Sequence, residues 1–491
     1  SIETSPPTAL DLLHLLKEDE TAVRLSWNLI TYANLHVSID GSHLEAKDRY
    51  SQFIELQSKL SEATRPFHLF LSRIPEKLFA DLSALPEAAP YLFGINLRRE
   101  YAETLMTESE EILLESLKRN GFLPWIELYR DISSSLRFEM KFDDETKSIS
   151  VAAAAPFICS RDEDTRHQAY LAINDSWRQQ GPVLARALSS LVGWRLEEFK
   201  KRSRHREMNY LEIPLRISRI RKETLDAMIN SVANRSEIGR KIIKLKNRAL
   251  GFGDKIHAWN LNAPPPLIED SSDTKVTFDQ AIDVLQSALK PCHPYFAEFV
   301  ARMAENGQVD ARLGESRRPG AFCTSFAKSR RPHVFMSFSG EFQDIRTLAH
   351  ELGHAFHGDV LGSLPFAESG YPMTLAETAS IFTETLVGDH LIEHESNQQS
   401  VLNSMWTETG VAATMLLGIP WRYHFEHRMY QERQSGSLSA QKLESLSQET
   451  YRETYGDLVI EAPESAWMKT LHYYIDARYF YNFPYTFGYL F

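Results

Sequence analysis

Cysteine is scarce in this chain: Cys159, Cys292 and Cys323 are the only three among 491 residues. They form no Cys-x-x-Cys pair, which excludes a zinc knuckle and a disulfide framework and makes a reducing compartment the default. Long apolar runs are missing too. The longest, residues 151–159, falls far short of the roughly 20 residues that span a bilayer. Residues 1–10 are too polar and proline-bearing to read as a signal peptide. Basic charge is in deficit, with 54 Lys and Arg against 66 Asp and Glu, a net −12. A nucleic-acid binder would show a basic footprint, and the short basic runs at 200–202 and 317–318 read as solvated surface. No repeat of fixed period and no long linker interrupts the chain. Together these absences describe a soluble, cytoplasmic protein without nucleic-acid or membrane partners.

What is present is apolar mass, 43% hydrophobic and 11% aromatic. That excludes a disordered chain and suffices for two or three domains. Residues 10–16, 101–117, 186–201 and 222–250 carry apolar side chains at three- and four-residue spacing, so helix dominates. Prolines at 86, 90 and 264–266 mark loops. One region reads as a β-hairpin: residues 320–326, a turn at 327–332, and residues 333–338. The expected fold is mostly α, with a small β-sheet beside one informative helix.

That helix holds residues 347–357, Thr-Leu-Ala-His-Glu-Leu-Gly-His-Ala-Phe-His. His350 and His354 stand four apart, about 40° around the axis, so both imidazoles can reach one metal ion. Glu351 lies roughly 100° from His350, beside the open position of such an ion rather than in its ligand set. There it could deprotonate a water polarised by the metal. With 17 histidines in the chain, His-Glu-x-x-His is expected by chance only about 0.04 times. Leu352, Ala355 and Phe356 mark the helix as packed inside, where unliganded histidines are unfavourable. Gly353 lowers helix stability by about 1 kcal/mol relative to alanine, which makes sense if another element approaches closely there.

A catalytic zinc takes three protein ligands and leaves a fourth place open. The downstream candidates are Glu368, Glu377 and Glu384. Residues 373–386 read as a second helix whose small face, Ala376, Ala379 and Ser380, can lie against the first. Glu377 sits in its opening turn, as a ligand or as the glutamate of a capping box with Thr374. Glu384, two turns on at nearly the same azimuth, suits orienting a ligand imidazole. Glu368 reads as a loop residue, and His357 as a support or substrate contact.

The residues resemble the oligoendopeptidase F branch of the thimet oligopeptidase family of zinc metallopeptidases. The resemblance rests on residues 347–357, on 376–384 (Ala-Glu-Thr-Ala-Ser-Ile-Phe-Thr-Glu), on 319–326 (Pro-Gly-Ala-Phe-Cys-Thr-Ser-Phe) and on 480–488 (Phe-Tyr-Asn-Phe-Pro-Tyr-Thr-Phe-Gly). It implies a gluzincin-like, two-lobed helical shell around a deep channel, with an N-terminal helical domain (1–200) and a catalytic domain (201–491). It implies one Zn2+ per chain held by His350, His354 and Glu377, with Glu351 as general base. The implied activity is hydrolysis of internal bonds in short, unstructured peptides. The hairpin at 320–338 would offer its edge to an extended peptide.

Six tyrosines, at 473, 474, 479, 481, 485 and 489, crowd together just after His472. Hydrolysis develops negative charge on the carbonyl oxygen, and a phenol or imidazole donor aimed there stabilises it. The resemblance implies this role for His472, Tyr481 and Tyr485, with Tyr479 behind them; aromatic core packing is the competing reading. The glycine-rich loop that precedes these tyrosines in the thimet branch is absent, and against the family the chain ends early, at Phe491. Two other functions share these features: a zinc exopeptidase on a similar shell, and a catalytically silent peptide-binding protein.

Overall fold

A computed structural model describes residues 7–142, 145–204, 206–268, 275–314, 316–318, 320–394, 396–476 and 479–491. Pro319, the first residue of the upstream motif, lies outside them. The described chain is mostly helical with two small sheets, as the periodicity leads one to expect. The expected boundary at residue 200 falls inside one continuous helix, Glu163–Arg202. By contacts the chain instead groups into two units, residues 1–108 with 273–394, and residues 109–272 with 395–491. No described helix is long and apolar enough to cross a membrane.

In the first unit, helix Ala9–Ile39 packs along helix Leu44–Ser72. It starts at a capping box in which Thr8 and Asp11 satisfy each other's backbone N–H groups. A three-stranded sheet follows, formed by β3 (Val309–Asp310), β4 (Phe322–Ser325) and β5 (Pro332–Phe335) in the order β3-β5-β4. β4 and β5 are the expected hairpin, antiparallel with Phe322 opposite Phe335 and Cys323 opposite Val334. β4 is therefore an edge strand. Val334 and Met336 share one apolar core with Ile345, Leu348, Leu352 and Ala355 of the next helix, Phe342–Leu361.

The second unit is built on helix Glu163–Arg202, whose residues Leu184, Leu188, Leu191 and Val192 are fully buried in its main core. A hairpin of β1 (Arg137–Phe142) and β2 (Glu145–Ser150) lies on that core. Sequence reading found one strand region only. The signal for this second one was there: apolar Phe138 and Met140 alternate with charged residues, and they are the buried ones. The helix expected over 222–250 is two, Lys222–Ala233 and Ser236–Ala249. Asn234 closes the first as its C-cap, a break that apolar spacing does not register. The helix expected over 101–117 starts only at Glu108, because Leu105 takes extended backbone after a short 3-10 turn.

Candidate active site

The helix Phe342–Leu361 begins where the Asp344 carboxylate accepts hydrogen bonds from the Ser339 N–H at 2.7 Å and the Glu341 N–H at 3.1 Å. These satisfy orphan donors at the helix start. With Leu348, Leu352 and Ala355 held in the core, the 3.6-residue period turns His350 and His354 to the other face. The helix Met373–His394 crosses against it. Gly353 is the contact point: a Cβ there would lie 2.6 Å from Thr383 Oγ1 and 2.8 Å from both Ala379 O and Ser380 Cα. This is the close approach that a glycine inside a helix signals. Thr374 is the second residue of this helix.

The approach assembles three donor atoms. His350 Nε2 and His354 Nε2 are 3.2 Å apart, and Glu377 Oε2 lies 3.7 Å from the first and 3.9 Å from the second. A tetrahedral zinc with bonds of about 2.0–2.1 Å spaces its ligands about 3.3–3.4 Å apart. Two imidazoles and a carboxylate are also one of the donor sets of catalytic zinc, so the residues fit the ion. No other group of three or more His, Cys, Asp or Glu side chains among the described residues could hold a metal. Glu368 belongs to a 3-10 turn, Phe366–Glu368, in the connection between the helices.

Behind the donors stands a support that sequence reading found in part. Glu384 Oε1 bonds His350 Nδ1, leaving Nε2 for the metal side. The other oxygen of Glu384 accepts from Arg346 Nη2 at 2.9 Å, and Arg346 is almost fully buried. Arg346 was missed; its spacing of four residues before His350 was the available signal. Ser380 Oγ, 3.3 Å from Glu377 Oε2, donates to that ligand candidate. Tyr371, also missed, packs its ring 4.3 Å from that of His357.

Electrostatics point the same way. Burial opposes charge on His350, yet its bonded partner Glu384 overrides this and holds its pKa above the ordinary value. Burial, helped by the charge on His350, lowers His354 to about 3, leaving a neutral ring with a free lone pair. Burial also pushes the Glu377 carboxyl upward and Glu351 up to about 7. Glu351 is nearly buried and faces the backbone of Cys323 on β4. Three carboxylates thus crowd two imidazoles in a low-dielectric setting, a charge pattern that a divalent cation would neutralise.

In the second unit, His472, Tyr481 and Tyr485 come together. The His472 ring lies 5.0 Å from that of Tyr481 and 6.0 Å from that of Tyr485, and Asn482 Oδ1 bonds His472 Nδ1 at 3.1 Å. Tyr473, Tyr474 and Tyr479 are different: all are buried in the main core. The Tyr474 ring stacks 3.8 Å from Tyr129. For these three the packing reading prevails.

The model of peptidase family M3 matches residues 157–490, more than half of the chain. The chain belongs to peptidase family M3. This M3 chain is 25% identical over 398 residues to oligopeptidase PepF of Bacillus subtilis (strain 168), which covers 79% of the chain. It spans 56% of the length of that relative. A putative peptidase from Chlamydophila abortus superposes with a TM-score of 0.80 at 22% identity, covering 98% of this chain and 80% of the other. The oligoendopeptidase-F of Enterococcus faecium gives 0.72 at 17% identity, covering 98% and 81%. At these identities the structural likenesses establish the fold.

Proposed function

We propose that this M3 chain is a zinc-dependent endopeptidase that cuts internal bonds of short, unstructured peptides. The observation that carries the reading is the donor triangle of His350, His354 and Glu377, with the Glu351 carboxyl beside it. Those three residues would hold one zinc ion, which supplies Lewis acidity toward water and a peptide carbonyl. Glu351 takes the proton of the attacking water on its carboxylate and passes it to the leaving amine. Tyr481 and Tyr485 donate hydrogen bonds to the carbonyl oxygen as it gains charge, and His472, whose Nδ1–H is given to Asn482 Oδ1, donates from Nε2 in its imidazolium form. The edge of β4 opposite β5 pairs with the peptide backbone. A strand already paired inside a folded protein cannot add to that edge, so the substrates are unstructured. A cytoplasmic setting, with no nucleic-acid or membrane partner, is part of the proposal; three free thiols and the net charge of −12 support it.

The test is an internally quenched peptide blocked at both ends. The intact chain cleaves it, and Glu351→Gln lowers the rate by roughly 10²-fold or more while zinc stays bound, as metal analysis would show. A blocked peptide left whole while free-ended peptides are trimmed would instead make the chain an exopeptidase. A fully active Glu351→Gln chain would overturn the role of Glu351.

A further inference from the structure

The second unit contains a cavity of about 720 Å3 that the chemistry above does not use, although His472 forms part of its lining. Its charge is unlike that of the protein. With 66 acidic residues in 491, 30 lining residues drawn at random would include about 4 carboxylates. The 30 described residues that line the cavity include none, while Lys246, Arg422, Lys469 and His472 are among them. Neither Lys246 nor Arg422 has an ion-pair partner among the described residues; Lys246 Nζ donates only to Trp406 O, at 3.0 Å, and sits 4.5 Å from the Trp406 ring centre. Both side chains are half-buried, and a cation withdrawn from water without a counter-ion is unfavourable. Burial lowers the Lys246 ammonium to about 8.

A second, independent observation points to a ligand. Asn247, fully buried in the lining, has no hydrogen-bond partner at either Oδ1 or Nδ2. Buried amides are satisfied as a rule, and one donor beside one acceptor is the complement of a peptide unit. Three tryptophans, Trp177, Trp406 and Trp421, supply flat apolar wall. A π-helical turn, Thr414–Gly418, interrupts the helical run at the cavity; such turns are frequent at functional sites.

We propose that this cavity binds a carboxylate carried on an aromatic amino acid whose nitrogen is acylated. Lys246 and Arg422 take the carboxylate, Asn247 the amide, and the tryptophans the ring. Two sources share this chemistry, the C-terminal residue of a peptide and a free N-acyl aromatic amino acid. Only the first of these sources rests on the peptidase reading.

Tryptophan fluorescence reads the binding directly. The Glu351→Gln chain keeps peptides intact and so reports binding whether or not the hydrolysis reading holds. We expect saturable binding of N-acetylphenylalanine, and at least tenfold weaker binding of N-acetylphenylalaninamide. Lys246→Gln and Arg422→Gln should each weaken the acid at least tenfold and the amide little, with thermal unfolding confirming that each variant folds. An acetylated pentapeptide ending in phenylalanine that binds tighter than the single residue identifies a peptide end; equal binding identifies the free acylamino acid. Equal affinity for acid and amide, no saturable change with the acid, or affinity untouched by both substitutions overturns the proposal.

Discussion

Replacing Gly353 by alanine tests the idea that one helix contact sets the metal site. Two of the three atoms a new Cβ would meet belong to the backbone of the facing helix, Ala379 O and Ser380 Cα, both at 2.8 Å. Rotamer changes cannot relieve them. Ordinary contact begins at 3.4 Å, so the helices must part by roughly 0.6 Å. Glu377 lies two residues from Ala379 and moves with it. Metal-ligand distances tolerate only about 0.2 Å, so zinc affinity should fall at least about tenfold, the scale seen when ligand supports are lost. Stability responds to two opposed effects. Alanine gains about 1 kcal/mol in helix propensity and overpacking loses about 1–3 kcal/mol, leaving a net loss of about 0–2 kcal/mol in the metal-free chain. Gly358 on the same helix is the internal control. Its Cβ would meet only Ser325 Oγ at 3.6 Å, so Gly358→Ala should gain about 1 kcal/mol with zinc affinity unchanged. Urea unfolding of the metal-free chains and zinc competition against a chromophoric chelator measure both quantities. If Gly353→Ala behaves like Gly358→Ala in the two assays, the reasoning fails.

Glu384→Gln removes the charged partner of His350 Nδ1, and zinc affinity should drop about 10–100-fold; the same chelator competition checks it, and wild-type affinity would count against a supporting role. Glu426 supplies a pH prediction in the second unit. It is fully buried, and burial raises its carboxyl to about 7 despite the Phe480 N–H it accepts at 2.8 Å. A carboxyl raised on folding is most stabilising when protonated, so its contribution is complete below about pH 4.5 and lost as pH rises through about 7, by roughly 3 kcal/mol. Glu426→Gln cannot ionise. Its unfolding free energy should vary less than that of wild type between pH 5 and pH 8, and parallel profiles would refute the assignment.

The His-Glu-x-x-His spacing was legible because the helical period is a local property: four residues return a side chain to nearly the same azimuth in any helix. Glu377 and Glu384, seven apart, were legible for the same reason. Gly353 announced a close neighbour, since a helix interior seldom keeps a glycine without a packing reason. Arg346 did not stand out, because burying its guanidinium against Glu384 needs the second helix in place. Tyr473, Tyr474 and Tyr479 could not be told from Tyr481 and Tyr485 by residue type. Which phenols are buried is decided by a core drawn from Tyr129, Phe199 and Tyr430, far away in sequence. The cavity, acid-free among the described residues, was invisible for a like reason: Lys246 and Asn247 share a lining with Arg422 and Trp177 only through folding.

By itself the sequence determined the helical character, the β4–β5 hairpin, the metal-binding pattern and the family resemblance, all of which rest on short-range spacing. Tertiary structure decided how closely Glu377 and Glu384 approach the first helix, that Arg346 is buried behind Glu384, which tyrosines belong to the core, and where the positively lined cavity lies. Those outcomes depend on distances between segments remote in the chain, and local periodicity carries no information about them.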